Sequence, residues 1–547
     1  MRDGIDLAAN VFRPVGSGRL PTILIRTPYG KGSQLRPHYR VFVEHGYAVV
    51  IQDVRGRFAS EGVFDPLRQE VLDGEDTLSW IARQSWSNRR VGMIGGSYLG
   101  IVQWKAALSA SPYLKAIFPV VAGSDDYFDR FYSPGGALKL GHRLEWLAEN
   151  LHTPDFRPDF SHFIFHLPLR YADRAAAGRG IDFYQAALDH PAYDSFWESV
   201  STLQHLDRVR VPVFAVGGWY DNFLESSLKA FHAMRLRGRL HRMVVGPWPH
   251  DIYYRFPGVD FGPDAAVPVR TLQLDWFDYW LKQPDAGHDP GAVASPPLRL
   301  FVMGANRWRD EQEWPLLRAL STPFYLASRG GANGLDGDGR LETRIPRRSA
   351  PDQFVYDPTD PVPTAGGAIC CNARLLPWGP MEQRPVEKRR DVLVYSSAPL
   401  KRPLEVTGPV RVVLYVSTSA PDTDFTAKLV DVAPDGSTRN LADGILRLRY
   451  RESLERPTPA QPGQIYPITV DAGVTSNEFA KGHRIRLEVS SSNFPRFDRN
   501  PNTGRPIADE RELRRASQTV YHDRLHPAHL LLPVVPPTTK AVHTRRP

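Results

Sequence analysis

The chain has 547 residues, of which 42% are hydrophobic and 23% charged, including 12 Trp, 21 Tyr and 26 Phe. This composition supplies several packed cores, and it excludes a fibrous protein, a disordered protein and a small disulfide-dependent scaffold. The net charge of +8 arises from 68 basic and 60 acidic residues along the whole chain, so we expect no nucleic-acid partner. The densest basic run, Arg235 to Arg242, has no interleaved aromatic residues and is interpreted as a solvated helix end and loop.

Location is constrained only weakly by the sequence. Charges interrupt the first six residues and no apolar stretch of 18 residues follows, so we expect neither a secretory leader nor a membrane span, and a cytoplasmic protein. The two cysteines, Cys370 and Cys371, are adjacent and cannot join distant segments by a disulfide. We interpret them as small buried residues rather than a second nucleophile.

Residues 1–125 alternate short β-rich runs with helical patterns, which is typical of a mostly parallel sheet covered by helices. Apolar or small residues between Pro66 and Gln84 recur at helical spacing and predict a helix there. The predicted strands are Thr22 to Tyr29, Tyr47 to Val54, Val91 to Ile94 and Leu114 to Val121.

The strand rhythm stops at residues 126–205, where aromatic residues, Asp and Pro are mixed, so this segment is predicted to be an inserted helical cap. The sheet is expected to resume over residues 206–290. Its predicted elements there are the strands Val211 to Gly217 and Met243 to Gly246 and, between them, the helix Leu224 to Met234. Pro284 to Pro297 is predicted to be a linker.

Residues 295–547 lose the helical rhythm, and alternating runs separated by turn signals predict an all-β jelly roll. The clearest runs are Val410 to Ser417, Phe425 to Val432, Ile445 to Tyr450 and Arg484 to Val489. No metalloprotease helix motif, paired Cys-x-x-Cys or phosphate-binding loop of the Walker type occurs, so we predict neither a metal nor a cofactor. Asp336 to Gly339 faintly resembles a calcium loop and is better interpreted as a turn.

The strongest chemical signal is the run Gly95 to Gly100, which follows a predicted strand and precedes the helical run Ile101 to Leu108. A nucleophile elbow needs small residues near its serine because the strained turn brings backbone segments close together. Gly95 and Gly100 meet that need around Ser97, although the second glycine comes one residue later than in the usual form. The alternative is an ordinary glycine-rich turn or a phosphate-binding loop.

A serine nucleophile requires a histidine base and an acid at later strand ends. Asp221 follows the strand Val211 to Gly217, and His250 follows the next strand, which gives the order Ser, Asp, His of α/β-hydrolases. Asp251 and Glu225 are rival acids. The rival histidines, which lie in the predicted cap or before the strand, are His142, His162 and His241.

Several separated motifs resemble the cocaine esterase (CocE/NonD) family of α/β-hydrolases, which is related to X-Pro dipeptidyl-peptidases and α-amino-acid ester hydrolases. The resemblance covers nearly the whole chain. Its motifs are Met1 to Gly4, Arg26 to Tyr29, Asp53 to Arg57, Gly96 to Gly100, Gly218 to Asp221, Gly246 to Trp248 with His250, Pro361 to Thr364, Gln383 to Pro385 and Ser492 to Pro495.

The resemblance implies a hydrolase domain with an inserted cap and a C-terminal jelly roll, and it implies roles for individual residues. Ser97 is expected to attack the acyl carbon, His250 to transfer the proton and Asp221 to orient the imidazole. The oxyanion hole is expected to pair the backbone amide of Tyr98 with the hydroxyl of Tyr29, although Tyr29 is equally compatible with a packed turn.

The same resemblance suggests residues that contact the substrate. Phe223 resembles an acyl-pocket aromatic residue, and we also expect Trp219 and Cys371 to bind substrate. Cysteines replace the bulky apolar residues expected in the loop after Gly367, so a benzoyl-shaped pocket is not expected here.

We therefore predict a cofactor-independent serine esterase that cleaves carboxylic esters of small molecules through an acyl-Ser97 intermediate. Two alternatives stay open. One is an X-Pro dipeptidyl-peptidase or another amide-cleaving acylase, and the other is a binding protein on an inactive hydrolase scaffold. Relatives in such families commonly self-associate, and the sequence leaves a homo-oligomer open.

Overall fold

The computed structural model describes residues 1–16, 18–282 and 295–537. Most of the predicted linker, at residues 283–294, and the last ten residues of the predicted jelly roll lie outside the described residues. Within the described residues, no helix is both long enough and apolar enough to cross a membrane.

A nine-stranded, mostly parallel sheet forms the first half of the molecule, in the order β1-β3-β2-β4-β5-β6-β7-β10-β11. Its strands are β1 Ala9–Phe12, β2 Leu20–Thr27, β3 Ala48–Asp53, β4 Ser87–Gly96, β5 Leu114–Val120, β6 Val213–Tyr220, β7 His241–Pro249, β10 Leu298–Val302 and β11 Arg307–Glu311. Strands β2 and β3 are buried on both faces, which explains why they appear in the sequence as continuous apolar runs rather than alternating ones.

Helices cover both faces of this sheet. They are α1 Pro37–Glu44, α2 Glu70–Arg83, α3 Tyr98–Leu108, α9 Leu224–Leu236 and α10 Val269–Leu281, and a short two-stranded sheet joins β8 Arg255–Phe256 to β9 Val259–Asp260. Ten of the eleven residues of α3 are buried, as expected for a helix in the middle of a layered fold. Helix α3 follows β4 directly, so the turn between them is held in a fully packed setting.

A helical cap is inserted between β5 and β6, which are neighbouring parallel strands. It begins with a π-helical turn, Tyr127–Phe131, and ends with a 3₁₀ turn, Leu203–His205. Its helices are α4 Leu140–Asn150, α5 Phe160–Ile164, α6 Ala172–Ala177, α7 Asp182–Asp189 and α8 Ser195–Val200, with a further 3₁₀ turn at Leu169–Tyr171. The predicted inserted cap is therefore helical, and α4 is nearly all buried.

The second half is an eleven-stranded, almost wholly antiparallel β structure. Its strands are β12 Leu320–Ala327, β13 Arg340–Glu342, β14 Asp352–Tyr356, β15 Leu393–Ser396, β16 Leu404–Thr418, β17 Asp424–Val432, β18 Thr438–Arg447, β19 Tyr466–Phe479, β20 Arg484–Ser490, β21 Ala516–Tyr521 and β22 His529–Val535, and the short helix α11 is Arg384–Glu387. Three of the alternating runs noted in the sequence lie within β16, β17 and β20, whereas the run Ile445 to Tyr450 starts in β18 and ends in a 3₁₀ turn, Leu448–Tyr450.

The boundary between the two halves differs from the sequence expectation. Strand β10 pairs in parallel with β7, and β11 pairs with β10, so both strands extend the first sheet. The predicted C-terminal jelly roll, which starts at residue 295, therefore includes two strands of the first sheet. The reason is that short strands carry no sequence signal for the sheet that they join.

Candidate active site

The turn between β4 and α3 has the backbone of a nucleophile elbow. Ser97 adopts φ 56° and ψ −126°, a strained conformation for a residue with a side chain. Its amide donates to the carbonyl of Val120 at 3.0 Å, and its own carbonyl accepts from Gly100 at 2.8 Å. These bonds hold Ser97 at the carboxyl end of β4, with its side chain only partly buried.

Gly95 and Gly100, which the sequence analysis singled out, are required because a side chain at either position would clash with neighbouring atoms. A Cβ atom at Gly100 would lie 2.3 Å from the Cβ of Ala122, and one at Gly95 would lie 2.4 Å from the Cβ of Leu99. Gly95 also has a φ of 137°, a value that side chains rarely tolerate. The departure from the usual spacing at Gly100 thus keeps the function of the motif, which is close packing of the helix on the next strand.

Substituting Gly100→Ala is expected to lower the free energy of unfolding by about 1–3 kcal/mol, because the new methyl overlaps Ala122 on a buried strand end. The matched variant is Gly96→Ala, whose Cβ would meet nothing closer than the Val120 carbonyl at 3.4 Å. Thermal unfolding of both variants measures the difference. Equal melting temperatures for the two would contradict the packing role of Gly100.

Asp221 and His250 meet at the neighbouring strand ends. His250 Nδ1 lies 2.8 Å from Asp221 Oδ1, and the Asp221 side chain is 1% exposed. Asp251 is exposed, and Glu225 is half-buried beside the jelly roll, where desolvation raises its pKa. The geometry therefore favours Asp221 over both rival acids. Among the described residues, no hydrogen bond joins His250 to Ser97, and such bonds are often long before substrate binds.

Tyr29 lies against Ser97. Its hydroxyl interacts with Ser97 and accepts a hydrogen bond from Trp146 Nε1 at 3.1 Å. Burial raises the pKa of Tyr29, so the phenol stays protonated and able to donate. Because the Trp146 N–H occupies one side of the phenolic oxygen, the Tyr29 O–H is free to turn toward Ser97. Sequence reasoning missed Trp146, which lies on α4, 117 positions away from Tyr29.

Tyr98 contributes its backbone rather than its side chain. It is the first residue of α3, and the first amides of a helix have no partner inside the helix. Its hydroxyl instead donates to Glu70 Oε1 at 2.6 Å, and Glu70 is paired with the buried Arg26. This anchor holds the side chain in the core and leaves the amide beside Ser97.

Phe223, one of the three expected substrate contacts, lies near the imidazole of His250. The ring of Phe223 is 5.3 Å from that of His250 and 5.9 Å from that of His142, measured between centroids. A nitrogen of His142 and the sulfurs of Cys370 and Cys371 lie within 4.8 Å of one another. Cys371 thus lies beside His142, the ring of His142 contacts Phe223, and the ring of Phe223 contacts that of His250.

The indole of Trp219 makes its contacts elsewhere. It donates to the carbonyl of Phe301 at 2.8 Å and lies 5.9 Å from the ring of Trp314. Phe301 and Trp314 both come later in the chain than Asp221 and His250. Trp219 is therefore fixed against strand β10, although it lies two residues before Asp221.

The cysteine loop holds a feature that the sequence did not indicate. Cys370 and Cys371 form a disulfide with each other; Cys370 is buried and Cys371 is half-buried. His142 is the basic neighbour that sequence reasoning failed to find. Burial, and next the adjacent Arg143, lowers the pKa of His142 well below its ordinary value. His142 is therefore a neutral wall residue rather than a second base.

The comparisons with known proteins agree with this architecture. The family model described as X-Pro dipeptidyl-peptidase (S15 family) matches residues 3–251, and the model of the X-Pro dipeptidyl-peptidase C-terminal non-catalytic domain matches residues 290–531. Cocaine esterase of Rhodococcus sp. (strain MB1 Bresler) is 43% identical over 564 residues, covering 98% of this chain and 97% of that protein. The chain belongs to the cocaine esterase family.

Two solved structures of other enzymes superpose on this chain over nearly its whole length. An α-amino acid ester hydrolase and an aminopeptidase from the marine sediment archaeon Thaumarchaeota archaeon each superpose with a TM-score of 0.85 at 28% identity, covering 98% of this chain and 95% of theirs. Membership of the cocaine esterase family confirms the predicted α/β-hydrolase fold with its C-terminal β domain. It also confirms the prediction of an enzyme, a serine ester hydrolase.

Proposed function

We propose that the enzyme cleaves carboxylic esters of small molecules with Ser97 as nucleophile, His250 as general base and Asp221 as the acid that orients it. The observation that carries this proposal is the bond of 2.8 Å between Asp221 and His250, next to an elbow serine with φ 56°. A buried carboxylate fixes the proton on Nδ1 and leaves Nε2 free to accept one.

The chemistry then runs in two halves. Ser97 Oγ attacks the acyl carbon as its proton passes to His250 Nε2, and the negative charge on the former carbonyl oxygen is held by the Tyr98 amide and the Tyr29 hydroxyl. The alcohol leaves with the proton from His250, which leaves an acyl-Ser97. A water molecule, deprotonated by His250, attacks the acyl-enzyme, and the carboxylic acid departs as Ser97 recovers its proton.

Mass spectrometry of the intact protein after exposure to a fluorophosphonate tests the nucleophile. A single adduct mapped to Ser97, together with turnover of ethyl and aryl esters, supports the proposal. Labelling at another residue, or no labelling, would contradict it and would favour an inactive scaffold. Parallel assays with N-terminal X-Pro amides separate an esterase from a dipeptidyl-peptidase, because only the latter would cleave the amides faster than the esters.

Substituting Tyr29→Phe is expected to lower kcat by about 10²- to 10³-fold, because it removes a preorganised donor to the developing oxyanion. Tyr98→Phe is the matched control. It removes the bond to Glu70, keeps the backbone donor, and should lower the free energy of unfolding by about 1–3 kcal/mol with a much smaller effect on kcat. Steady-state kinetics and thermal unfolding measure both. An unchanged kcat in Tyr29→Phe would remove Tyr29 from the oxyanion hole.

Phe223, which contacts His250 and His142, is the aromatic residue that we propose to contact the acyl group. The cytoplasmic location and self-association of the chain remain predictions from the sequence.

A further inference from the structure

Arg143, on helix α4 of the cap, is a buried cation that has no ion-pair partner among the residues that the structure describes. Its exposed fraction is 2%. Its Nε donates to the carbonyl of Arg130 at 3.3 Å, and Nη2 lies 3.5 Å from His142 Nε2. Among the described residues, none accepts a hydrogen bond from Nη1, and no carboxylate lies within ion-pair distance of the guanidinium. Burying a charge without a counter-charge is costly, so such groups usually have a partner.

The carboxylates nearest to Arg143 do not supply one. Asp126 is shared between Lys105, at 2.6 Å, and Arg130, so a single negative charge already serves two cations. Burial, and next Glu149, raises the pKa of Glu145 to about 8, so this carboxyl is mostly protonated at neutral pH. The cluster of Lys105, Arg130 and Arg143 therefore carries an excess of positive charge.

The guanidinium nevertheless remains charged. Burial, and next the Arg130 cation, lowers the pKa of Arg143 to about 9, which is still above neutral pH. The rings of Phe131 and Trp146 lie 4.8 and 5.4 Å from its central carbon, and aromatic faces stabilise a cation only partly. Nη1, the nitrogen without an acceptor among the described residues, thus belongs to a charged guanidinium.

Arg143 also lies next to the reacting centre. The Trp146 indole that contacts it donates to the Tyr29 hydroxyl, and Tyr29 interacts with Ser97. On its other side His142 contacts Phe223, whose ring lies against His250. The guanidinium therefore has neighbours on two sides of the site, Trp146 toward Tyr29 and His142 toward Phe223.

We propose that Arg143 binds a carboxylate on the acyl group, so that the preferred substrates are half-esters of short dicarboxylic acids. This inference rests on the proposed function and adds the class of the acyl group to it. Guanidinium binds carboxylate through parallel N–H donors, and a desolvated site strengthens the pair. The substrate carboxylate thus supplies the counter-charge that the described residues do not.

Hydrolysis of three matched esters tests the inference. Monoethyl succinate carries the acyl carboxylate, and ethyl succinamate is its neutral isostere with an amide in the same place. The propanoate ester of glycolic acid carries the carboxylate on the alcohol side instead. The wild-type enzyme is expected to show a kcat/KM at least about tenfold higher for monoethyl succinate than for either of the others, because a desolvated charge pair discriminates strongly.

Variants at position 143 test whether Arg143 causes the preference for monoethyl succinate. Arg143→Met keeps most of the side-chain volume and removes the charge, and it should reduce the ratio of kcat/KM for monoethyl succinate over ethyl succinamate at least about tenfold. Arg143→Lys retains a cation and should keep an intermediate ratio. Free succinate should inhibit the wild type competitively and more strongly than succinamate, and this difference should vanish in Arg143→Met. Because the test is a ratio within one protein, a loss of stability in a variant does not change it.

The possible failures are distinguishable. If Ser97 is labelled and ethyl succinamate is cleaved as fast as monoethyl succinate by the wild type, the inference is overturned and the proposed function stands. A preference for the glycolate ester, or an equal ratio in wild type and Arg143→Met, also overturns it. If no ester is cleaved and no adduct forms, the proposed function itself fails.

Discussion

Substituting Ser97→Ala is expected to lower kcat for ester hydrolysis by about 10⁵- to 10⁶-fold and to abolish fluorophosphonate labelling. The methyl side chain cannot attack the acyl carbon, and the tyrosine and backbone donors that remain only polarise the carbonyl. The strained backbone at position 97 is set by β4 and α3 rather than by the serine hydroxyl, so the fold should be retained.

The matched control is Ser33→Ala, the same change on an exposed loop. It should leave labelling and kcat within about twofold of the wild type, as surface substitutions normally do. Residual activity in Ser97→Ala within tenfold of the wild type would contradict the role of Ser97. An unfolded Ser97→Ala protein, seen by circular dichroism, would contradict the argument that the elbow is built by its surroundings.

The residues of the proposed triad were accessible from the sequence because each follows a buried strand directly. Ser97, Asp221 and His250 come at the ends of β4, β6 and β7, and the carboxyl ends of parallel strands in one sheet lie along one edge. Local patterns therefore determine their placement to within a few residues. The same reasoning found most strands of the first sheet, since parallel strands buried on both faces stand out as apolar runs.

The cap residues could not be found in this way. Trp146 and Arg143 lie on one helix whose contacts with Tyr29 and Phe131 depend on how the cap folds back over the sheet. A helix in which nearly every residue is buried, charged ones included, has no polar face to reveal its orientation. The signal available was an Arg next to a His in a helix that also carries two glutamates, and it does not identify what either residue faces.

Sequence adjacency also misleads in two places. Trp219 belongs to the motif that contains Asp221, yet its indole donates to the carbonyl of Phe301 and packs near Trp314, both of which come from a later part of the chain. Cys371, in contrast, is distant in sequence from every proposed catalytic residue and lies beside His142. Distance along the chain carries little information about a pocket that three parts of the molecule build together.

Substituting Asp221→Asn is expected to lower kcat by about 10⁴-fold while KM changes little. The carboxylate accepts the Nδ1 proton of His250 at 2.8 Å and is 1% exposed, so water cannot replace it. An asparagine amide can donate to Nδ1, which moves the imidazole proton to Nε2, and this nitrogen can then no longer accept the proton of Ser97. The side-chain volume is unchanged, so the site should keep its shape.

Asp251→Asn is the matched control for this prediction, because Asp251 is the nearby exposed acid that the sequence offered as a rival. It should keep kcat within about twofold of the wild type. Initial rates with ethyl esters, together with fluorophosphonate labelling rates, compare the two variants. Since labelling also needs an activated serine, Asp221→Asn should label far more slowly than Asp251→Asn. The reverse order would transfer the role of the acid to Asp251 and leave the bond between Asp221 and His250 a purely structural one.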